Sequence, residues 1–161
     1  MRKNKNIKIK KKYRIYKRDF KYKSRIVTYF VNILMKNGKK NLSYNIFYNT
    51  LKIVKNKIKD EEPFKIFKKA LNNIKPSVEI KARKIGSTTY NIPKKISKKK
   101  SIYYSIKWLI LYSKKRKGIS MSNKLAEEII AAYNKIGESI KKKNEIDKLF
   151  NKNKGFYNFK N

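Results

Sequence analysis

Between Lys75 and Pro93 the chain reads Lys-Pro-Ser-Val-Glu-Ile-Lys-Ala-Arg-Lys-Ile-Gly-Ser-Thr-Thr-Tyr-Asn-Ile-Pro. Val78, Ile80 and Ala82 alternate with Glu79, Lys81 and Arg83, the period of a strand with one apolar and one charged face. Gly86 breaks the run, and Thr88, Thr89, Tyr90 and Ile92 supply the β-branched and aromatic residues of a return strand. Pro76 and Pro93 flank the pair where a ladder can spare an amide donor. The segment predicts a basic β-hairpin at about residues 76–92, projecting from a helical body as an arm with cations on one face.

That body reads as helices. Ile26, Val27, Phe30, Val31 and Leu34 give a first amphipathic stripe, stopped near Asn37-Gly38, and Leu42, Ile46, Phe47, Leu51, Val54 and Ile58 give a second. Pro63 suits a first helical turn, with Asp60 to Glu62 at its positive dipole end and Phe64, Phe67, Leu71 and Ile74 as the third stripe. After the hairpin, Ile102, Ile106, Leu109 and Ile110 mark a fourth helix that ends before Gly118, with Trp108 and Phe67 assigned to the core by helical spacing. Ser120 is a good N-cap for a fifth helix with the stripe Met121, Leu125, Ile129, Ala132 and Tyr133; Ile140, Ile146 and Leu149 mark a sixth. The expected fold is mainly α: six helices in one bundle-like domain over 24–155, a hairpin inserted between the third and fourth, a basic extension over 1–23 and a tail over 156–161.

Charge narrows the class of partner. With 46 Lys plus Arg against 10 Asp plus Glu, the formal net charge is +36 on 161 residues, and such a body repels itself unless a polyanion neutralises it. Codons rich in A and T inflate Lys, Asn, Ile, Tyr and Phe in a biased genome, but bias does not explain where the acids fall. Asp19 is the one acid before Asp60, and none occurs between Glu79 and Glu127. A long surface of one sign faces nucleic acid or anionic lipid.

Catalysis has little to work with. The chain has no cysteine and no histidine, so disulfides, thiolate metal sites and the usual general base are absent. Apolar runs such as Trp108 to Tyr112 are far short of the roughly 18 residues that span a bilayer as a helix. Asp60-Glu61-Glu62 is three consecutive carboxylates that do not converge on one ion; Glu127 and Glu128 are expected to pair with Lys124 or Lys135 or to face water. Gly38-Lys39-Lys40 lacks the spacing of a nucleotide-binding loop and reads as an inter-helix turn whose amides and lysines hold an RNA phosphate, or as a plain solvated turn.

The cations therefore define the candidate site. From Lys75 to Lys124 there are fifteen Lys or Arg and one acid, so the hairpin and fourth helix form one positive region; its candidate RNA contacts are Lys75, Lys81, Arg83, Lys84, Lys94, Lys95, Lys98, Lys99, Lys100, Lys107, Lys114, Lys115, Arg116 and Lys117. Lysines that open a helix are disfavoured by its dipole, a repulsion that phosphates relieve. Lys39 and Lys40 join them from the turn, and Lys10, Lys11, Lys12 and Arg14 from an N-terminal arm read as mature sequence that orders against RNA, the alternative being a solvated tail. Tyr90 is placed either on a base or against the core. Leu125 to Asn161 holds five of the ten acids and is the poorer face for phosphate; its aromatic end, Phe156-Tyr157-Asn158-Phe159, reads as a protein contact or a local clasp.

The hairpin segment resembles the signature of the small ribosomal subunit protein seven family, in its bacterial and organellar form. The similarity extends through Phe30-Val-Asn-Ile-Leu-Met35, Asn37-Gly-Lys-Lys40, Ala70-Leu71, Lys107-Trp108, Lys115-Arg-Lys117, Ser120-Met121, Leu125-Ala-Glu-Glu128 and Asn153-Lys154 before Phe156. Ser87 stands where the family has a second glycine, and Lys84 and Lys107 where it has arginine, a point charge replacing a planar bidentate donor. The resemblance implies a non-enzymatic, rRNA-binding constituent of the small subunit that holds the 3′ major domain and nucleates head assembly beside neighbouring head and platform proteins. It implies no cofactor beyond rRNA-associated Mg ions, and a hairpin tip, Ile85, Gly86, Ser87 and Thr88, near mRNA and exit-site tRNA. A second role known in the family is repression of its own message. From another class, the competing reading is a basic packaging protein for DNA or anionic membrane. The residue bias and the absence of a recognisable transit peptide point to an organellar ribosome, most simply that of a non-photosynthetic plastid, with a mitochondrion as the other candidate.

Overall fold

The computed structural model describes residues 17–153, so the Lys10–Arg14 arm and the aromatic end at 156–159 lie outside the described residues. Six helices and one hairpin follow in order: α1 (Arg25–Leu34), α2 (Lys40–Lys57), α3 (Pro63–Ile74), β1 (Val78–Ile85), β2 (Thr88–Lys95), α4 (Lys98–Lys115), α5 (Met121–Tyr133) and α6 (Glu138–Lys152). The expected architecture, a helical domain with the hairpin between the third and fourth helices, is the one observed.

Local signals place the boundaries. Asn37 and Gly38 adopt φ of 50° and 73°, a left-handed break that ends the α1 path. Pro63 opens α3, where its missing N–H costs nothing, and the Ser120 hydroxyl accepts from the Asn123 amide at 3.2 Å to cap α5. Ser97 caps α4 in the same way, accepting from the Lys100 amide.

The core forms where α1, α2 and α3 meet. Phe30, Phe47 and Phe67 are fully buried, with ring centroids 5.1 to 5.3 Å apart and the Phe67 ring edge-on to the other two. Helix α5 lies at the centre, packing on α2, α3 and α4 through Leu125, Ala126, Ile129 and Ala132, and its alanines let neighbouring backbones come close. Trp108 is half-buried at the edge of this core and stacks on Tyr104. Leu42, Ile146 and Leu149, expected as stripe positions, fall outside it. Leu42 is exposed because the inner face of α2 runs through Ser43, Phe47, Thr50, Leu51 and Val54, a row set by the large Phe47 ring. Leu149 is exposed because α6 packs mainly through its first turn, where Ile140 is buried.

Asp19 belongs to this body although it lies in the extension expected over 1–23. It is buried, its Oδ2 accepts the amides of Lys21 and Tyr22 at 3.1 and 2.9 Å, and its Oδ1 accepts the Tyr48 hydroxyl at 2.6 Å. Burial and the bond to Asp19 hold the Tyr48 phenol in its protonated form well above the usual range. Tyr22, next to it, stacks on Phe64 at 4.6 Å, so the chain entering α1 is pinned to α2 and α3.

Candidate nucleic-acid interface

The hairpin is fastened at its base and exposed beyond it. Val78, Ile92 and Pro93 are buried, whereas every described side chain from Lys81 to Asn91 is exposed. The Ser101 hydroxyl donates to the Pro76 carbonyl at 2.7 Å and the Ile96 amide to the Ser77 carbonyl at 3.4 Å, tying the base to α4, while α6 packs on β1. Strand β2 runs through Pro93 to Lys95, beyond the expected end. Counting pairs from the turn, Ile80↔Pro93 is a non-hydrogen-bonded pair, where a missing amide donor leaves the ladder intact.

The turn itself is two residues, Gly86 and Ser87, closed by the pair Ile85↔Thr88. Gly86 has φ of 61° and Ser87 is not among the positive-φ residues, the pattern of a type II′ turn. Such a turn needs glycine at its first central position alone, which is why Ser87 is accommodated.

The pairing register corrects the expectation of one charged face. Glu79, Lys81 and Arg83 stand opposite Lys94, Ile92 and Tyr90, so the apolar residues of β2 share the face that carries the β1 charges. The other face carries Val78, Ile80, Ala82 and Lys84 with Lys95, Pro93, Asn91 and Thr89. The hairpin is therefore cationic on both sides: Ile92 is buried at its base, and Tyr90 lies exposed farther along the same face.

Several candidate cations already have protein partners. Glu79, the one acid of the region, is bound by Lys100 and lies 3.7 Å from Lys81, with Lys94 as its cross-strand neighbour. The pair with Glu79 holds the Lys100 ammonium protonated above the usual lysine range. Lys75 donates to Asn72, while Lys107 lies over the Tyr103 ring at 5.8 Å, Lys115 over Tyr112 at 5.3 Å and Lys40 over Tyr44 at 5.9 Å. Lys84, Lys94, Lys95, Lys98, Lys99, Lys114 and Lys117 are exposed around them, as is Arg83.

Other expected contact groups are engaged within the protein. The Lys39 and Lys40 amides donate to the carbonyls of Lys36 and Gly38 at 3.0 and 2.7 Å, so the turn offers a phosphate its lysine side chains but not those amides. Arg116 turns inward: its Nε donates to Glu128 at 2.6 Å and its NH1 lies 3.8 Å from Glu127, whose other oxygen is 3.9 Å from Lys57. Glu128 is fully buried rather than solvated or paired with Lys124 or Lys135. It also accepts the Ser139 amide at 3.1 Å and hydroxyl at 2.6 Å, capping α6 from a different helix. Gly137 permits this approach, since its φ is 109° and a Cβ there would stand 3.2 Å from the carboxylate.

Tyr103 and Tyr104 on α4 were not among the residues that the sequence pointed to. Lys99, Tyr103 and Lys107 form one row at four-residue spacing, and Lys100, Tyr104 and Trp108 the next, with Lys100 5.7 Å from the Tyr104 ring. Their offset from the buried Ile106-Leu109-Ile110 stripe was the available signal. By contrast, α6 pairs two of its lysines with its own acids: Lys141 with Glu138 at 2.7 Å and Lys142 with Glu145 at 2.8 Å.

The chain is similar in sequence to bacterial proteins named small ribosomal subunit protein uS7. It is 37% identical to that of Thermodesulfovibrio yellowstonii over 88% of this chain and 90% of the relative, and 40% identical to that of Desulfatibacillum aliphaticivorans over the same shares. It is 39% identical to that of Borrelia garinii subsp. bavariensis over 97% of this chain and 98% of the relative. The family model described as ribosomal protein S7p/S5e matches residues 3–154, nearly the whole chain, and with this hairpin and this helix order the protein belongs to that family.

Proposed function

We propose that the protein is a structural, non-catalytic constituent of the small ribosomal subunit that binds the 3′ major domain of its rRNA through the hairpin and the outer face of α4. The observation that carries this reading is the cationic surface from Lys75 to Lys117, whose single acid, Glu79, is neutralised from within, on a chain of this family. Such a surface works by neutralising phosphate and matching the shape of a folded RNA, and it needs no cofactor beyond the Mg ions that accompany rRNA. Membership in the family supports early action in head assembly beside other head and platform proteins, with repression of its own message as a second role of the same surface. The bias toward residues with A/T-rich codons supports an organellar ribosome, of plastid type, as its location; the relatives named above are bacterial.

The hairpin divides this function in two. Its base packs on the helices, so it serves anchoring; its tip, Ile85 to Thr88, makes one tight turn far from the core and serves the mRNA and exit-site tRNA path. A variant in which the Lys84 to Thr89 segment is shortened by one cross-strand pair is expected to enter small subunits as well as the parent chain. It is also expected to change the dissociation rate of exit-site tRNA. Loss of incorporation would make the tip an assembly anchor, and unchanged incorporation with unchanged tRNA dissociation would make it a passive loop.

A further inference from the structure

Where α1 faces the start of α4, a cleft of about 570 Å³ opens to solvent, lined by Tyr29, Ser97, Lys98, Lys99, Lys100 and Tyr103. Two tyrosines from different helices and three consecutive lysines make its walls. Among the described residues no carboxylate lines it, and Glu79, which binds Lys100, keeps that ammonium directed to the hairpin side. The Tyr103 ring is partly exposed, tilted at 59° against Tyr104 with centroids 5.7 Å apart, and Tyr104 in turn stacks on Trp108. The ring is thus backed by an aromatic row rather than left mobile, while the Ser97 hydroxyl is occupied in capping α4.

This chemistry suits a ligand that is planar at one end and anionic at the other. A regular RNA duplex satisfies only the lysines, because its bases are stacked inward and show no π-face to a side chain. An unstacked nucleotide satisfies both parts: its base lies on an aromatic ring and its phosphate meets the ammonium groups. The volume falls within the usual range for small-ligand sites, and the open mouth lets a strand enter and leave.

We propose that the cleft receives one unstacked nucleobase of a single-stranded or bulged RNA segment, stacked on Tyr103, with the adjoining phosphate held by Lys98 and Lys99. The inference rests on the rRNA-binding reading and adds to it a contact that discriminates single strands from duplex, which phosphate contacts alone do not.

The test uses the full chain and two probes, a short single-stranded RNA with a central 2-aminopurine and a fully paired RNA hairpin carrying the same label. Binding of the single strand is expected to quench the 2-aminopurine, as stacking does, and binding of the paired probe to leave it unchanged. Tyr103→Leu, which keeps apolar volume against Tyr104 but removes the π-face, should weaken single-strand binding about tenfold and abolish the quench. Its salt dependence should not change. Tyr103→Phe should retain affinity and quench, and Lys98→Gln should lower the slope of log affinity against log salt by about one. Unchanged affinity and quench in both Tyr103→Leu and Tyr103→Ala would overturn the stacking site while leaving rRNA binding standing. Failure of the parent chain to bind either probe at low salt would overturn the rRNA reading itself.

Discussion

Neutralising Arg83, Lys84, Lys98 and Lys99 together to glutamine is expected to weaken binding to small-subunit rRNA about a hundred- to a thousandfold at moderate salt. The same change should flatten the slope of log affinity against log salt by about three to four units. Each phosphate contact releases close to one counterion, and the loss of four contacts worth roughly 1 kcal/mol apiece accounts for the affinity. These residues are chosen because they are exposed on the hairpin and at the start of α4, whereas Lys81 and Lys100 surround Glu79. The matching control is Lys141, Lys142 and Lys143 to glutamine. It removes almost as much charge from α6, where Lys141 and Lys142 already pair with Glu138 and Glu145, and it should move the slope by less than about one unit. Filter binding or fluorescence titration over a salt series reads both sets, and equal losses in the two would mean that net charge alone drives binding and no face is selected.

Removing the Glu128 carboxylate is expected to be among the most destabilising single changes in the chain. Glu128→Ala leaves the half-buried Arg116 guanidinium with only its longer contact to Glu127 and the α6 amide of Ser139 without an acceptor. Breaking a buried pair from one side costs about 3 to 5 kcal/mol, which in a domain of this size lowers the melting midpoint by roughly 10 °C. Glu128→Gln retains shape and an acceptor but loses the charge, and should fall between the two. Arg116→Met in the Glu128→Met background should recover much of the loss, because an apolar pair leaves no uncompensated charge. Far-UV circular dichroism melts check the series, and a Glu128→Ala midpoint equal to that of the parent would show that the pair contributes nothing net. If Arg116 acts in folding rather than on RNA, Glu128→Ala assayed well below its midpoint should retain the parent's salt slope.

The helices were legible because their apolar rows repeat with helical spacing and their ends carry recognisable residues: Pro63 opening α3, Ser120 capping α5, Asn37-Gly38 closing the path from α1. The hairpin was legible from the alternation in β1. What escaped depended on partners distant in sequence. The face assignment of Ile92 and Tyr90 follows from register, and register follows from a two-residue turn that a segment with one glycine does not by itself specify. Leu42 and Ser43 begin competing rows on α2, and only the packing of Phe47 against Phe30 and Phe67 chooses between them. Glu128 did carry a local signal: it lies three residues after Leu125 and four before Ala132, on the buried face of α5. Its charge argued for solvent, and the guanidinium that overrides this preference comes from the end of another helix. Among the candidate cations, sequence marks where positive charge is dense, but which lysines face outward depends on where one glutamate and a few tyrosines come to rest.

Competition between nucleic acids tests the central claim most directly. The full chain is bound to a labelled 3′ major-domain fragment of small-subunit rRNA at moderate salt and challenged with unlabelled fragment or random duplex DNA, matched in nucleotide concentration. An rRNA-binding ribosomal protein should require on the order of a thousandfold or more excess of duplex DNA for the displacement that the unlabelled fragment achieves. Equal potency of the two competitors would contradict the account and leave a basic protein that packages polyanions without regard to their fold.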